Sequence, residues 1–553
     1  MKRLIFAFII LAVLVAVGVG AKVYFGGGFS LPTSTSSPIA TSNGFQYATP
    51  TAVTVPPIGA YNLESIDLGD GPVPLVTVPL DTWGGYAALF SANKGIDPNK
   101  ASLFYQYGHF AVKLVNIEDS TAQLKGYAGG QYPIIWAQMD SLPLLVDAFK
   151  VDKRVIPRVL GLFDWSNGGD GIVAKSVINS PADLKGKTIL TSSNTPYAFM
   201  LLWYLAQYGM TGNDVKVVWV DDGDKALELF KNSPEIVAWV TWSPYLQDVL
   251  NSKSNHFVPN TRLLINSRDA SQLIADLYLI RNDLLQEHPE IAVGFAEAMY
   301  AGSQNIDSNT YNAMAQFYKV SASDAQVMVR DVHIANFPEN KMFFDSNNDV
   351  GGSKIFTLAQ SYYKQLGSLG NVNYDVTPLL TTKILTAVDK TGMFANQTNT
   401  LTAPQNFDTS DLLGARVVLT NNVQLYFDPE QTSFNVNAGT ADVLNNLKRL
   451  AGVSDQTKFL ATTVIKLTGY IYTSNAKIAE AKAKGVNEFT KAQTDAVLFS
   501  KKRADFIKQI LVSRYGISPD RIVTEGGGWD SPIDDTNPNS NRRVEVAFIS
   551  AQI

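Results

Sequence analysis

The chain reads as an α/β protein in which a doubly wound sheet takes up most of the length, with an apolar N-terminal helix before it and a smaller α+β domain after it. Three observations predict this. From Pro72 to Gly392, short apolar segments ending in polar or aromatic loops alternate with helical patterns, as expected of a doubly wound sheet. The composition changes across an Asn-, Thr- and Gln-rich stretch at Met393–Asp411, and strand and helix patterns resume from about Ala415. An uncharged apolar run, Leu4 to Ala21, follows Lys2 and Arg3.

That run approaches the ~20 residues a helix needs to cross a bilayer. A cleaved secretion signal is one reading, with Val19 and Ala21 as the small residues before the cut. The run is longer than a signal core of ~7–15 residues, which favours an uncleaved signal-anchor over residues 1–25 with Lys2 and Arg3 inside. Either reading places the remainder outside the cytoplasm. Residues 26–71, rich in Gly, Ser, Thr and Pro, cannot bury enough apolar surface to offset their ordering entropy and read as a linker.

The body, residues 72–392, begins with a strand at Pro74–Val78 and a loop and helix at Asp81–Gly95. Trp83 and Gly84 fall in that loop, at the carboxyl end of the strand, where open α/β sheets take ligands. Strands at Leu114–Ile117 and Pro133–Ala137 flank a helix at Thr121–Ala128, and Asp140 closes a second loop at the same edge. After a helix at Leu142–Phe149 and a strand at Pro157–Phe163, the segment Asp164–Gly171 supplies Trp165, Ser166, Asn167 and open glycine amides. That set suits stacking one part of a solute and hydrogen-bonding another.

Asn179–Met210 is the most informative stretch. Lys187–Thr191 reads as a strand, Ser192–Thr195 as a hydroxyl-lined loop, Pro196 as a first helical residue and Tyr197–Tyr208 as a helix stopped by Gly209. Ser193 and Thr195 therefore stand at a helix N-terminus, which attracts anions without a basic side chain. Val215–Val220 and Ile236–Val240 are further strands; Asp222 follows the first, and Trp242 and Tyr245 follow the second. Leu273–Tyr318 reads as helical, and helices at Ser353–Leu366 and Val376–Val388 complete the body. Carboxylates at the cleft would favour an amine or hydroxyl, whereas hydroxyls alone would favour a sulfonate, phosphate or nitrate. These residues leave both open.

Several classes are excluded. With 45 Lys and Arg against 50 Asp and Glu, a net charge of −5 and no basic run, there is no electrostatic footprint for nucleic acid. The absence of cysteine removes disulfides, thiolate metal sites, cysteine nucleophiles and a lipid-bearing cysteine. His109, His256, His288 and His333 lack metal-ligand spacing, and the calcium-like Asp345–Gly352 has Val350 and Phe356 where Gly and Glu are needed. No metal or cofactor is expected, and no nucleophile–base pair or phosphate loop points to an enzyme.

The words SPADLKGKTI, TPYAFMLLWYL, DWSNGGDGIVAK and VTWSPYL resemble periplasmic solute-binding proteins of the nitrate, alkanesulfonate and thiamine-precursor ABC transporter type. The resemblance implies a two-lobed periplasmic-binding-protein fold that closes on a small-molecule solute, with Asp164–Gly171 as a crossing between lobes and an ABC permease as a partner. Residues 415–553, after a linker at 393–414, resemble the OmpA-like peptidoglycan-binding domain through Ser500–Ala504, Tyr515–Glu525 and Asn541–Glu545, in a strand, helix, strand, helix, strand order. In that family an Arg and an Asp grip the peptide stem. Arg503 matches the Arg, but Gly469-Tyr470-Ile471-Tyr472 stands where the family has Gly-His-Thr-Asp. Asp495, in an insertion, is the candidate substitute, and Asn541 and Arg542 complete the peptidoglycan-binding set. The implied protein is a cell-envelope solute-binding protein on the periplasmic side, anchored in the inner membrane and held at the wall. The alternative is a structural spacer whose lobes no longer bind solute.

Overall fold

The computed structural model describes residues 56–550 apart from 194, 221, 402–411, 413–414 and 534–536. The anchor expected at 1–25 lies outside the described residues, and among those described no helix is long and apolar enough to cross a membrane. The ordered body begins earlier than composition suggests. Within the expected linker, β1 (Glu64–Asp67) pairs antiparallel with β2 (Pro72–Leu80). The buried Arg281 guanidinium also donates to Gly59 O (2.8 Å), while Gly59 N donates to Ala128 O (2.9 Å).

The first lobe combines two sheets. In one, β2 lies between β1 and the parallel β3 (Ala111–Asn116). The other contains β4 (Ile134–Gln138), which lies beside β2, and β5 (Pro157–Ser166). The second lobe is one sheet, built from β6 (Asp170–Lys175), β7 (Thr188–Thr191), β8 (Lys216–Trp219), β9 (Ile236–Trp242) and β10 (Thr261–Asn266) in the order β10-β6-β9-β7-β8. There β8, β7 and β9 run parallel, β6 pairs antiparallel with β9, and β10 pairs antiparallel with β6.

The return to the first lobe corrects the sequence reading. Ala275–Arg281, expected to be helical, is strand β11, inserted between β4 and β5, with β12 (Val332–Ile334) beyond β5. All seven residues of β11 are buried. A short apolar run covered on both faces has no period that distinguishes strand from helix. The chain thus crosses between lobes at Asn167–Gly169 and again at Ser267–Ile274. The two crossings are tied together: Ser267 Oγ accepts from Gly168 N (2.8 Å) and lies within hydrogen-bond distance of Ser166 Oγ (2.8 Å), and Ser267 N donates to Asp170 O (2.8 Å).

The helix Gly352–Gln365 packs on both lobes, through Tyr363 OH donating to Asp140 Oδ2 (3.3 Å) and a Tyr362–Phe199 ring contact at 5.7 Å. The helix expected at Val376–Val388 begins later, at Lys383–Thr391. The start of the expected second linker is also packed: Phe394 is buried against Tyr300 and Phe337, and Thr400 Oγ1 donates to Glu339 Oε1 (2.8 Å).

The C-terminal domain has one strand more than the expected order. β13 (Val417–Tyr426), β14 (Thr463–Gly469), β15 (Ile522–Gly526) and β16 (Arg543–Ser550) form a sheet in the order β13-β16-β14-β15, with β14 and β15 parallel. The insertion forms an exposed helix, Asn475–Ala483, and opens the long helix Val486–Tyr515. This domain rests on the second lobe and its crossing. Arg416 bridges Asp269 Oδ2 (2.5 Å) and donates to Leu264 O (2.9 Å), Thr462 Oγ1 donates to Arg268 O (2.5 Å), and Trp203 meets Phe459 edge-on.

Candidate functional site

The strand ends of the two lobes face one another across a cleft. On the first lobe, cross-strand register places Asp276 of β11 opposite both Asp164 of β5 and Gln138 of β4, so three polar side chains form one row. Asp81 follows β2 and accepts from Tyr86 OH (2.7 Å). Trp83, in the next loop, donates its indole N–H to Asp164 Oδ2 (2.9 Å). On the second lobe, Asp170 at the start of β6 lies opposite Trp242 at the end of β9. Tyr197, in the first turn of the helix Pro196–Ala206, stacks on Trp242 with ring centres 4.8 Å apart and planes 9° apart, while Tyr245 meets Trp242 edge-on at 5.4 Å.

The cleft is lined by Asp81, Trp83, Trp136, Gln138, Asp170, Pro196, Tyr197, Trp242, Ile274 and Asp276. In this conformation the lobes are nearly shut: about 10 Å³ remains for the centre of a water-sized guest, the room of roughly one water. None of the lining side chains is basic. Burial pushes the Asp164 and Asp170 carboxyls up to about 7. It lifts Asp81 and Asp276 well above the carboxylate range, reinforced by the charge of Glu118 on Asp81 and of Asp164 on Asp276. Among the described residues no group of His, Asp and Glu is arranged to hold a metal. The Asp345 carboxylate instead accepts from Asn347 N (2.9 Å), inside its own turn.

Of the residues expected from sequence, Trp83 and Trp242 line the cleft. The others take supporting positions. Gly84 is pressed against the backbone, where an added Cβ would stand 2.2 Å from Met328 O. Asp140 is buried behind the cleft under Tyr363, and burial, aided by the charge on Asp276, pushes its carboxyl up to about 8. Trp165 is buried edge-on to Phe343, and Ser166 and Asn167 belong to the crossing, where Ser166 Oγ donates to Asp170 Oδ2 (2.5 Å) and Asn167 N to Asp331 O (2.8 Å). Ser193 is buried, and Thr195 Oγ1 donates to Ser192 O (3.0 Å). Asp222 caps the helix Gly223–Asn232 through Lys225 N (2.9 Å), and Tyr245 donates to Asp224 Oδ1 (3.0 Å) behind Trp242.

Sequence reasoning missed Asp81, Trp136, Gln138, Asp170, Tyr197 and Asp276. Asp81 and Gln138 stand at carboxyl ends of strands, the rule that singled out Trp83. Asp276 was hidden because its strand read as helix.

In the C-terminal domain Arg503, 1% exposed, is occupied by backbone carbonyls. It donates to Gln431 O and Tyr470 O (each 2.8 Å) and Asp428 O (3.4 Å), between the Phe427 and Phe499 rings. Burial, then the charge of Arg542, lowers its pKa to about 10. Asp495 does not meet it: it is exposed, eight residues earlier on the same helix, a separation of ~12 Å at the helical rise. Asn541 is buried and accepts from Ile533 N (2.7 Å), and Arg542 donates to Asn539.

Residues 150–310 match the NMT1/THI5-like family and residues 426–545 the OmpA family. Similar solved structures include the periplasmic aliphatic sulphonate binding protein SsuA from Escherichia coli, at 15% identity and TM-score 0.43 over 57% of this chain and 100% of that one. Another is the alkanesulfonate-binding protein SsuA from Xanthomonas axonopodis pv. citri bound to MOPS, at 15% identity and TM-score 0.38 over 54% and 95%. The desulfurization enzyme DSZB is similar at 13% identity and TM-score 0.35 over 57% and 99%. No curated protein matches the chain.

Proposed function

We propose that this chain, which joins an NMT1/THI5-like domain to an OmpA-family domain, is an envelope binding protein that captures a small solute between its lobes while its C-terminal domain holds it at peptidoglycan. The observation that carries this reading is the cleft: Trp83 and Trp136 of one lobe face Tyr197 and Trp242 of the other, over buried polar groups. Aromatic walls with a few convergent polar atoms are what small-molecule sites are made of. The two tied crossings supply a hinge about which such lobes part and close. The narrow cleft fits a closed form, and capture requires an open form that the solute draws shut. The N-terminal apolar run serves as inner-membrane anchor, and an ABC permease receives the solute.

At the wall end, Arg542 is a half-buried cation, which suits the carboxylate of a peptide stem. Because Arg503 is built into the domain's interior, Arg542 is the residue whose loss tests the contact. Arg542→Ala should release the protein from isolated peptidoglycan in a sedimentation assay while leaving its melting temperature unchanged. For the lobes, a melting-temperature screen against small anions, amines and pyrimidines should find a compound that stabilises the wild type and fails to stabilise Trp242→Ala. Retained wall binding with no stabilising compound would favour the spacer reading instead.

A further inference from the structure

We infer that the solute is a small organic cation, a protonated amine, and not an anion. This rests on the cleft being a solute site, and it follows from which atoms there lack partners. Gln138 and Asp276 are 3% and 2% exposed, and both line the cleft. Gln138 Oε1 has no hydrogen-bond partner among the described residues. Asp276, opposite it, shares a hydrogen bond with Asp164, whose charge favours the protonated form. The Gln138 oxygen is an acceptor, and a buried acceptor left unpaired is costly. An ammonium brings up to three donors and no acceptor, whereas a sulfonate or nitrate brings acceptors only and would leave that oxygen unpaired.

Charge points the same way. Asp81, Asp170 and Asp276 line the cleft, Asp164 stands behind Trp83, and among the described residues no Lys, Arg or His side chain lines it. Arg268, the basic residue beside the crossing, is directed at Asn167 O (3.0 Å) and Asp331 (3.8 Å). Among the described residues, the features favouring an anion are the indole N–H donors of Trp136 and Trp242 in the lining and the N-terminus of the helix Pro196–Ala206. Its macrodipole amounts to roughly half a positive charge, and Pro196 removes one of its N–H donors. Half a charge does not outweigh three lining carboxyl groups unless all of them are kept protonated, and an arriving cation ionises them. The Trp83, Trp136, Tyr197 and Trp242 rings add faces that attract a cation by their quadrupoles.

The test uses the full chain, with ethanolamine, choline, agmatine and 4-aminopyridine as cations and ethanesulfonate and nitrate as anions. At least one cation should raise the melting temperature and give a saturable heat by titration calorimetry, and both anions should be silent. Asp276→Asn, which keeps the shape and removes the charge, should weaken that cation by about 30-fold or more, the low end of what a buried charge partner contributes. Asp97→Asn, at an exposed carboxylate outside the lining, should leave the affinity as it was. Binding of an anion with all four cations silent would overturn the inference while leaving a solute-binding cleft intact. Silence of all six would overturn it together with the binding function. Cation binding unaffected by Asp276→Asn would overturn the site.

Discussion

Replacing Asp140 with Asn isolates one consequence of sealing carboxyl groups between lobes. Asp140 is completely buried, accepts from Tyr363 OH, and has its pKa raised from 3.8 to about 8 by burial and then by the charge on Asp276. A raised folded-state pKa means that the folded form binds the proton more tightly than the unfolded one. The resulting stability is fully present below pH 3.8 and is lost as pH rises through about 8. Inside that window the loss comes to roughly 3 kcal/mol between pH 5 and 7 from this group. Asparagine keeps an acceptor for Tyr363 and cannot titrate. Relative to wild type, Asp140→Asn should therefore gain roughly 3 kcal/mol between pH 5 and 7. Urea unfolding followed by tryptophan fluorescence suits the measurement, because all but one of the chain's eight tryptophans lie in the two-lobed body, the exception being Trp529. Parallel pH dependences for wild type and variant would refute the reasoning.

Other perturbations separate packing from recognition. Gly84→Ala forces a Cβ against Met328 O and should destabilise the first lobe by ~1–3 kcal/mol in the same unfolding assay. Arg416→Ala removes the cation paired with the buried Asp269 carboxylate, and the C-terminal domain should come away from the second lobe, seen as a larger radius of gyration by X-ray scattering. Arg503→Ala leaves three carbonyls without their donor and should cost the C-terminal domain ~3 kcal/mol by Trp529 fluorescence, in contrast to an unaltered Arg542→Ala.

Much of the architecture was legible because it is periodic or punctuated. The strand at Lys187–Thr191, the Thr195–Pro196 helix start and the alternation at Val544–Ile549 appear as β7, a Thr N-cap with Pro at N1, and β16. β11 was not legible, because burial on both faces erases the alternation that marks a strand. That one strand hid Asp276, and with it the row formed with Asp164 and Gln138, which exists only through register between segments distant in sequence. The cleft aromatics divided likewise. Trp83 and Trp242 stand in loops after strands, whereas Trp136 lies within β4 and Tyr197 within a helix, where either would pass for core. Arg503 matched a family motif, but the carbonyls that occupy it come from Asp428, Gln431 and Tyr470, a convergence that no local pattern carries.

Parting of the lobes and their closure on a cation can be measured directly in the cysteine-free chain. Spin labels would be attached through Lys113→Cys on β3 of the first lobe and Glu228→Cys on the helix Gly223–Asn232 of the second, both exposed positions. The distance distribution by pulsed electron resonance should include a long component without ligand and collapse to the short, closed distance at saturation with the stabilising amine. A single distance, the same with and without that amine, would contradict the account.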